Sequence, residues 1–184
     1  MADDGTLYPI DDLKNVHISN DRIYDHKTMR INYTTYDLQR DYDIVNPSKH
    51  ANIMTISTLF DPVSSSALDG HPFRYARVLG IYHADVVNFC PSTRTSIART
   101  MEFVLVHWYR RDLSHKAGFK RSRLHRLQPM TPTDPDAFGF LDPDDIIRGC
   151  HLIPAFAHGF EEGERLPGVS SNTKRAWNSY YVNW

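Results

Sequence analysis

Nine basic residues crowd between positions 94 and 126: Arg94, Arg99, Arg110, Arg111, Lys116, Lys120, Arg121, Arg123 and Arg126, opposed only by Glu102 and Asp112. Guanidinium and ammonium groups at this density attract phosphates and carboxylates. His115 and His125 add charge as the pH falls. The competing outcome is a solvated loop neutralised by the acids downstream, Asp134, Asp136, Asp142, Asp144 and Asp145. Trp108 and Tyr109 abut the basic stretch. With Tyr75 and Tyr82 they could line a cage that holds methyl-lysine by cation–π attraction. The alternative is that they are core, with their polar tips hydrogen-bonded. The candidate binding residues are therefore Arg110, Arg111, Lys120, Arg121, Arg123, Arg126, Trp108, Tyr109, Tyr75 and Tyr82.

Catalytic and metal chemistry find weaker footing. Ser64, Ser65 and Ser66 lie in a turn-rich stretch, and no Gly-x-Ser-x-Gly elbow exists to activate a serine. Asp142, Asp144 and Asp145 crowd one helix start, where capping and the helix dipole explain them. His107, His125 and His151 fall on candidate strands, but no histidine pair has metal-ligand spacing. No Gly-rich phosphate loop is present. The expectation is a non-catalytic binding module with no catalytic residues, no metal and no small-molecule cofactor. Cys90 and Cys150 are too few for a disulfide scaffold and match no zinc motif. They read as buried thiols in a reducing compartment, with a single bridge left open.

The elements that position these residues read as strands. Of 184 residues, 41% are hydrophobic, enough for a core, and a net charge of -1 selects no partner by bulk electrostatics. The first 15 residues, MADDGTLYPIDDLKN, lack the apolar run of a secretory signal. No apolar run approaches the roughly 20 residues of a membrane span. The expected setting is intracellular, with no membrane partner. Residues 1–25 read as a flexible acidic arm, and 26–184 as a single β-barrel-type domain with its core at about 73–156. The final residues look like strand sequence cut short, so the chain is expected to be truncated there.

Strands are predicted at 29–36, 51–59, 73–83, 101–109, 122–127 and 150–156, with a final one from 177. Gly80 marks a bulge or a close backbone approach. The continuous apolar middle of 101–109 predicts burial on both faces. Residues 37–46 read as a charged turn ending at Asn46-Pro47, 61–72 as a surface loop, 88–99 as a long hairpin loop and 110–120 as a charged loop. Asp142 and Pro143 predict a short helix start over 142–148, stopped by Gly149. Val78, Ile81, Val104, Val106, Leu152 and Ile153 are expected inside. The fold class is mainly β: a small barrel with one short helix and long loops.

Three blocks in order carry a family signal. They are Tyr75-Ala76-Arg77-Val78-Leu79-Gly80-Ile81-Tyr82, Val104-Leu105-Val106-His107-Trp108-Tyr109-Arg110-Arg111, and Phe140-Leu141-Asp142-Pro143-Asp144-Asp145-Ile146-Ile147-Arg148-Gly149-Cys150-His151-Leu152. Their layout resembles the bromo-adjacent homology (BAH) domain, an SH3-like barrel. Gly149-Cys150-His151 departs from its pattern, which has a Lys between Gly and Cys. A broader set, including Tyr33-Thr34-Thr35-Tyr36-Asp37, His50-Ala51-Asn52-Ile53-Met54 and Arg123-Leu124-His125-Arg126, resembles multicopy basidiomycete fungal proteins associated with transposable elements. The layout is also similar to the β-rich domain that trails plant CACTA-type transposases. These resemblances imply an interaction module that binds a protein partner or chromatin peptide, in a chromatin or transposon complex and in the nucleus. The alternative is a nucleic-acid-binding accessory domain that uses the basic segment 94–126.

Overall fold

The computed structural model describes residues 15–57, 71–90, 95–161 and 176–183. Ser64, Ser65, Ser66, Arg94 and most of the acidic lead-in lie outside the described residues. β-Branched and aromatic residues favour pleated backbone, and the chain is mainly β. The strands are β1 (Val16–Ile18), β2 (Tyr24–His26), β3 (Met29–Thr34), β4 (Arg40–Val45), β5 (Asn52–Ile56), β6 (Phe73–Cys90) and β7 (Thr95–Arg111). They continue as β8 (Arg126–Pro129), β9 (Phe138–Leu141), β10 (Ile146–Gly149), β11 (His151–Pro154), β12 (Phe160–Glu161), β13 (Ala176–Trp177) and β14 (Tyr180–Asn183). Helical structure among the described residues is confined to single 3-10 turns, and none of their helices is long and apolar enough to cross a membrane.

β6 and β7 contribute to two compact units. The larger holds His26–Ile81 and Phe103–Trp184, the smaller Met1–Asp25 and Tyr82–Glu102.

In the larger unit the strand order is β10-β5-β6-β7-β8-β14-β11. The two outermost strands are consecutive in the chain. Gly149 of β10 lies opposite Ile53 of β5, and Leu152 of β11 lies opposite Val182 of β14. Between them Cys150 donates its N–H to the Asn52 carbonyl at 2.9 Å. One short run of chain thus joins both ends of the sheet, and this makes it a nearly closed, barrel-like sheet. The β3–β4 hairpin is tied to the same corner, because Gly149 donates its N–H to Asp43 Oδ2 at 2.9 Å.

Successive side chains on a strand point to opposite faces, and both faces of the central strands are covered. Ala76, Val78, Val104, Val106 and Trp108 share one core cluster with Ile31, Val45, Ile53 and Ile146. Tyr75 belongs to a second cluster with Met54, Leu127, Cys150 and Val182, with Phe73 and Tyr109 packed against it. Core-facing positions on β6 change from even (Ala76, Val78) to odd (Ile81).

In the smaller unit β1 pairs with β6, with Val16 opposite Asn88 and Ile18 opposite Val86. Tyr24 stacks on His83 at 4.6 Å between ring centroids.

Several elements differ from the sequence expectation. Residues 88–99 are mostly strand, because β6 runs to Cys90 and β7 starts at Thr95. Thr95, Ile97 and Thr100 suit the pleat. The charged 37–46 stretch contains β4, which pairs with β3 along its full length. Residues 122–127 form strand only from Arg126, as β8. The predicted cap at Asp142 is present, its Oδ1 accepting the Asp144 N–H at 2.9 Å. The helix it starts lasts one 3-10 turn, Pro143–Asp145. The chain then turns extended, and Ile146, Arg148 and Gly149 pair with β5 across a register shift at Ile147, so tertiary pairing outweighs the local helix signal. Ile153 is 43% exposed, because on β11 it alternates with half-buried Leu152.

Candidate interaction groove

The larger unit carries a groove of about 520 Å³. Of the residues singled out from sequence, Tyr75, Tyr109, Arg110 and Arg111 line it. Tyr75 and Tyr109 come from neighbouring strands β6 and β7 and belong to the same core face. Phe73, two residues before Tyr75, repeats that face by the two-residue period. His71 packs its ring edge on Phe73 at 5.8 Å. The Tyr109 hydroxyl donates to Asn52 Oδ1 at 3.2 Å. Burial pushes the Tyr109 phenol pKa upward, so the ring stays neutral at physiological pH. The groove therefore has an aromatic floor.

Its rim is charged and balanced: Arg74, Arg110 and Arg111 against Asp112, Asp134 and Asp136. Arg110 pairs with Asp134 at 2.9 Å. Asp112 takes two bonds from Arg126, at 2.7 Å from Nη2 and 2.8 Å from Nε. It also accepts the Ser114 N–H and hydroxyl at 2.9 and 2.6 Å. Burial alone would raise the Asp112 carboxyl, but the Ser114 and Arg126 bonds and the Arg126 charge outweigh it and hold the pKa at about 2.

The aromatic candidates do not converge. Trp108 and Tyr109 are adjacent on one strand and so face opposite sides. Trp108 lies in the first core cluster at 8% exposure. The Arg74 guanidinium covers its ring at 3.9 Å from the centroid, and Gly139 seats its edge, where a Cβ would lie 3.0 Å from Nε1. Tyr75 is 2% exposed. Tyr82 is half-buried in the smaller unit. Lys120, Arg121 and Arg123 are exposed at the 3-10 turn Phe119–Arg121 and the residues after it.

The three strand histidines also have separate surroundings. His107 is buried and donates from Nε2 to the Met130 carbonyl at 2.8 Å. His125 meets His71 edge-on at 4.6 Å, and His151 is exposed. Among the described residues no three His, Cys, Asp or Glu side chains gather to hold a metal. Cys150 is a buried free thiol whose pKa burial pushes up to about 12. It stays protonated at neutral pH and is a poor nucleophile.

His71, Phe73 and Arg74 are groove residues that the sequence reading did not single out, and Asp134 was named there only as a neutralising acid. Period two from Tyr75 points to Phe73. The others depend on strand register and on a loop return, neither of which is local information. Comparison with known proteins gave no match to a family model, a curated protein or a solved structure.

Proposed function

We propose that this chain is a non-catalytic, BAH-like interaction module that receives a segment of a protein partner in the groove over Phe73, Tyr75 and Tyr109. The groove itself carries the reading. Its volume of about 520 Å³ gives partner side chains a recess to enter. An aromatic floor supplies apolar contact, and a balanced charged rim sets orientation and selectivity more than raw affinity. The chromatin setting rests on the resemblance of the three sequence blocks to the BAH domain, the transposon-complex setting on the resemblance of the broader residue set, and the nuclear location on both. A methyl-lysine cage is disfavoured, because Arg74 already occupies the face of Trp108.

The test is fluorescence anisotropy with an array of histone-tail peptides, each unmodified and lysine-methylated. The proposal expects at least one peptide to bind, with equal affinity in both forms. Gln128→Trp, which fills the groove from an exposed position, should weaken it at least about tenfold, or roughly 1.4 kcal/mol. No binding by any peptide, or affinity unchanged in Gln128→Trp, would count against the proposal.

A further inference from the structure

The basic segment is only partly neutralised. Arg110 and Arg126 have the carboxylates of Asp134 and Asp112, and Arg111 is also engaged. Lys116, Lys120, Arg121 and Arg123 are exposed and have no ion-pair partner among the described residues. All four lie on the loop 112–126, whose only carboxylate, Asp112, is held by Arg126.

The loop has a built conformation. Its ends are joined by the Asp112 N–H donating to the Arg126 carbonyl at 2.9 Å, beside the Arg126–Asp112 ion pair. Its tip is closed by the Gly118 N–H donating to the Arg123 carbonyl at 2.9 Å and the Arg121 N–H to the Gly118 carbonyl at 3.0 Å. Gly118 at φ +104° and Ser122 at φ +51° let the backbone reverse there. On its flank, His115 packs its ring on Tyr181 at 5.6 Å and bonds through Nε2 to the Leu124 carbonyl at 3.2 Å. The backbone that carries the four cations is therefore pre-formed, so only their side chains need ordering when they meet an anion.

We infer that the loop 112–126 docks nucleic acid through its phosphates, with Lys116, Lys120, Arg121 and Arg123 as the contacts. Phosphate contacts need only accessible point charges along a groove or strand. A protein partner would need a buried anchor, and among the described residues the adjoining cavity of about 190 Å³, with Leu113, His115, Lys116 and His125 on its walls, presents no Phe, Tyr or Trp. The site is separate in chemistry from the aromatic groove, and it can fail or stand independently of it.

The experiment is anisotropy of a short labelled DNA duplex across a salt titration. If all four residues contact phosphate, the log–log slope is about −3.6, a loss of roughly 150-fold between about 50 and 200 mM salt. The quadruple variant Lys116→Ala, Lys120→Ala, Arg121→Ala, Arg123→Ala should flatten that slope towards zero. The double variant Lys120→Ala, Arg121→Ala should reduce its size by about 1.8. Circular dichroism and melting of each variant confirm that the barrel persists. No duplex binding at low salt, or slopes unchanged in both variants, would overturn the inference. So would polyglutamate or anionic vesicles that compete as well as nucleic acid at equal charge.

Discussion

His107 offers a sharp test of the interior. It is 1% exposed on β7. Nε2 donates to Met130, and the buried Nδ1 has no hydrogen-bond partner. Only the neutral ring with its proton on Nε2 fits. Burial lowers the His107 pKa below its ordinary 6.5, the Met130 bond partly opposes that, and the Arg77 charge adds to it. Well above pH 6.5 the ring is neutral in both folded and unfolded chains, and its contribution to stability is constant. Below pH 6.5 the unfolded chain takes up a proton that the folded chain refuses. Stability then falls as pH falls, by at most about 1.4 kcal/mol per pH unit, until the folded pKa is reached. For a chain of this length that loss corresponds to roughly 3–5 °C in Tm per pH unit. His107→Gln keeps a donor for Met130 and cannot titrate. Thermal melts between pH 7.5 and pH 5 should show the wild type losing Tm faster than His107→Gln below pH 6.5, with parallel curves above it. Identical acid dependence in the two proteins would refute the neutral, buried assignment.

Three further outcomes are expected. Leu38 closes the β3–β4 turn at φ +63° while 85% exposed, so Leu38→Gly relieves strain without losing packing and should raise stability by about 0.5–1 kcal/mol in urea unfolding. Leu127 is fully buried in the second core cluster, and Leu127→Ala should cost about 2–5 kcal/mol by the same assay. Asp112→Asn weakens the bonds to Arg126 and should cost about 1.5–3 kcal/mol at neutral pH. In the wild type the ionised Asp112 contribution is complete above its unfolded pKa near 3.8 and fades as pH falls towards 2. The variant should therefore lose less stability than wild type across that acid window.

The centre of the fold was legible because local signals agreed there. The apolar run at Val104 to Trp108 demanded cover on both faces, and β6 and β7 receive it from two clusters. The Asp142 cap was equally readable, since capping uses residues two positions apart. Its extension into a helix was misread because pairing of Ile146 with Thr55 of β5 is non-local. Closure of the sheet at Cys150 was invisible for the same reason. The groove was half legible. Tyr75 and Tyr109 were marked by type, but the parity of adjacent strand residues already separates Trp108 from Tyr109. Neutralisation of Arg110 and Arg126 depended on Asp134 and Asp112, 24 and 14 positions away along the chain. Composition listed those acids without saying which cation each would meet.

Mapping of backbone amide shifts in an ¹⁵N-labelled sample, titrated with the tightest-binding histone-tail peptide, bears most directly on the groove. The largest changes should fall at Phe73, Tyr75, Tyr109 and Gln128, leaving Lys120 and Arg121 unmoved. Changes confined to residues 116–123, or scattered with no focus at those four positions, would contradict it.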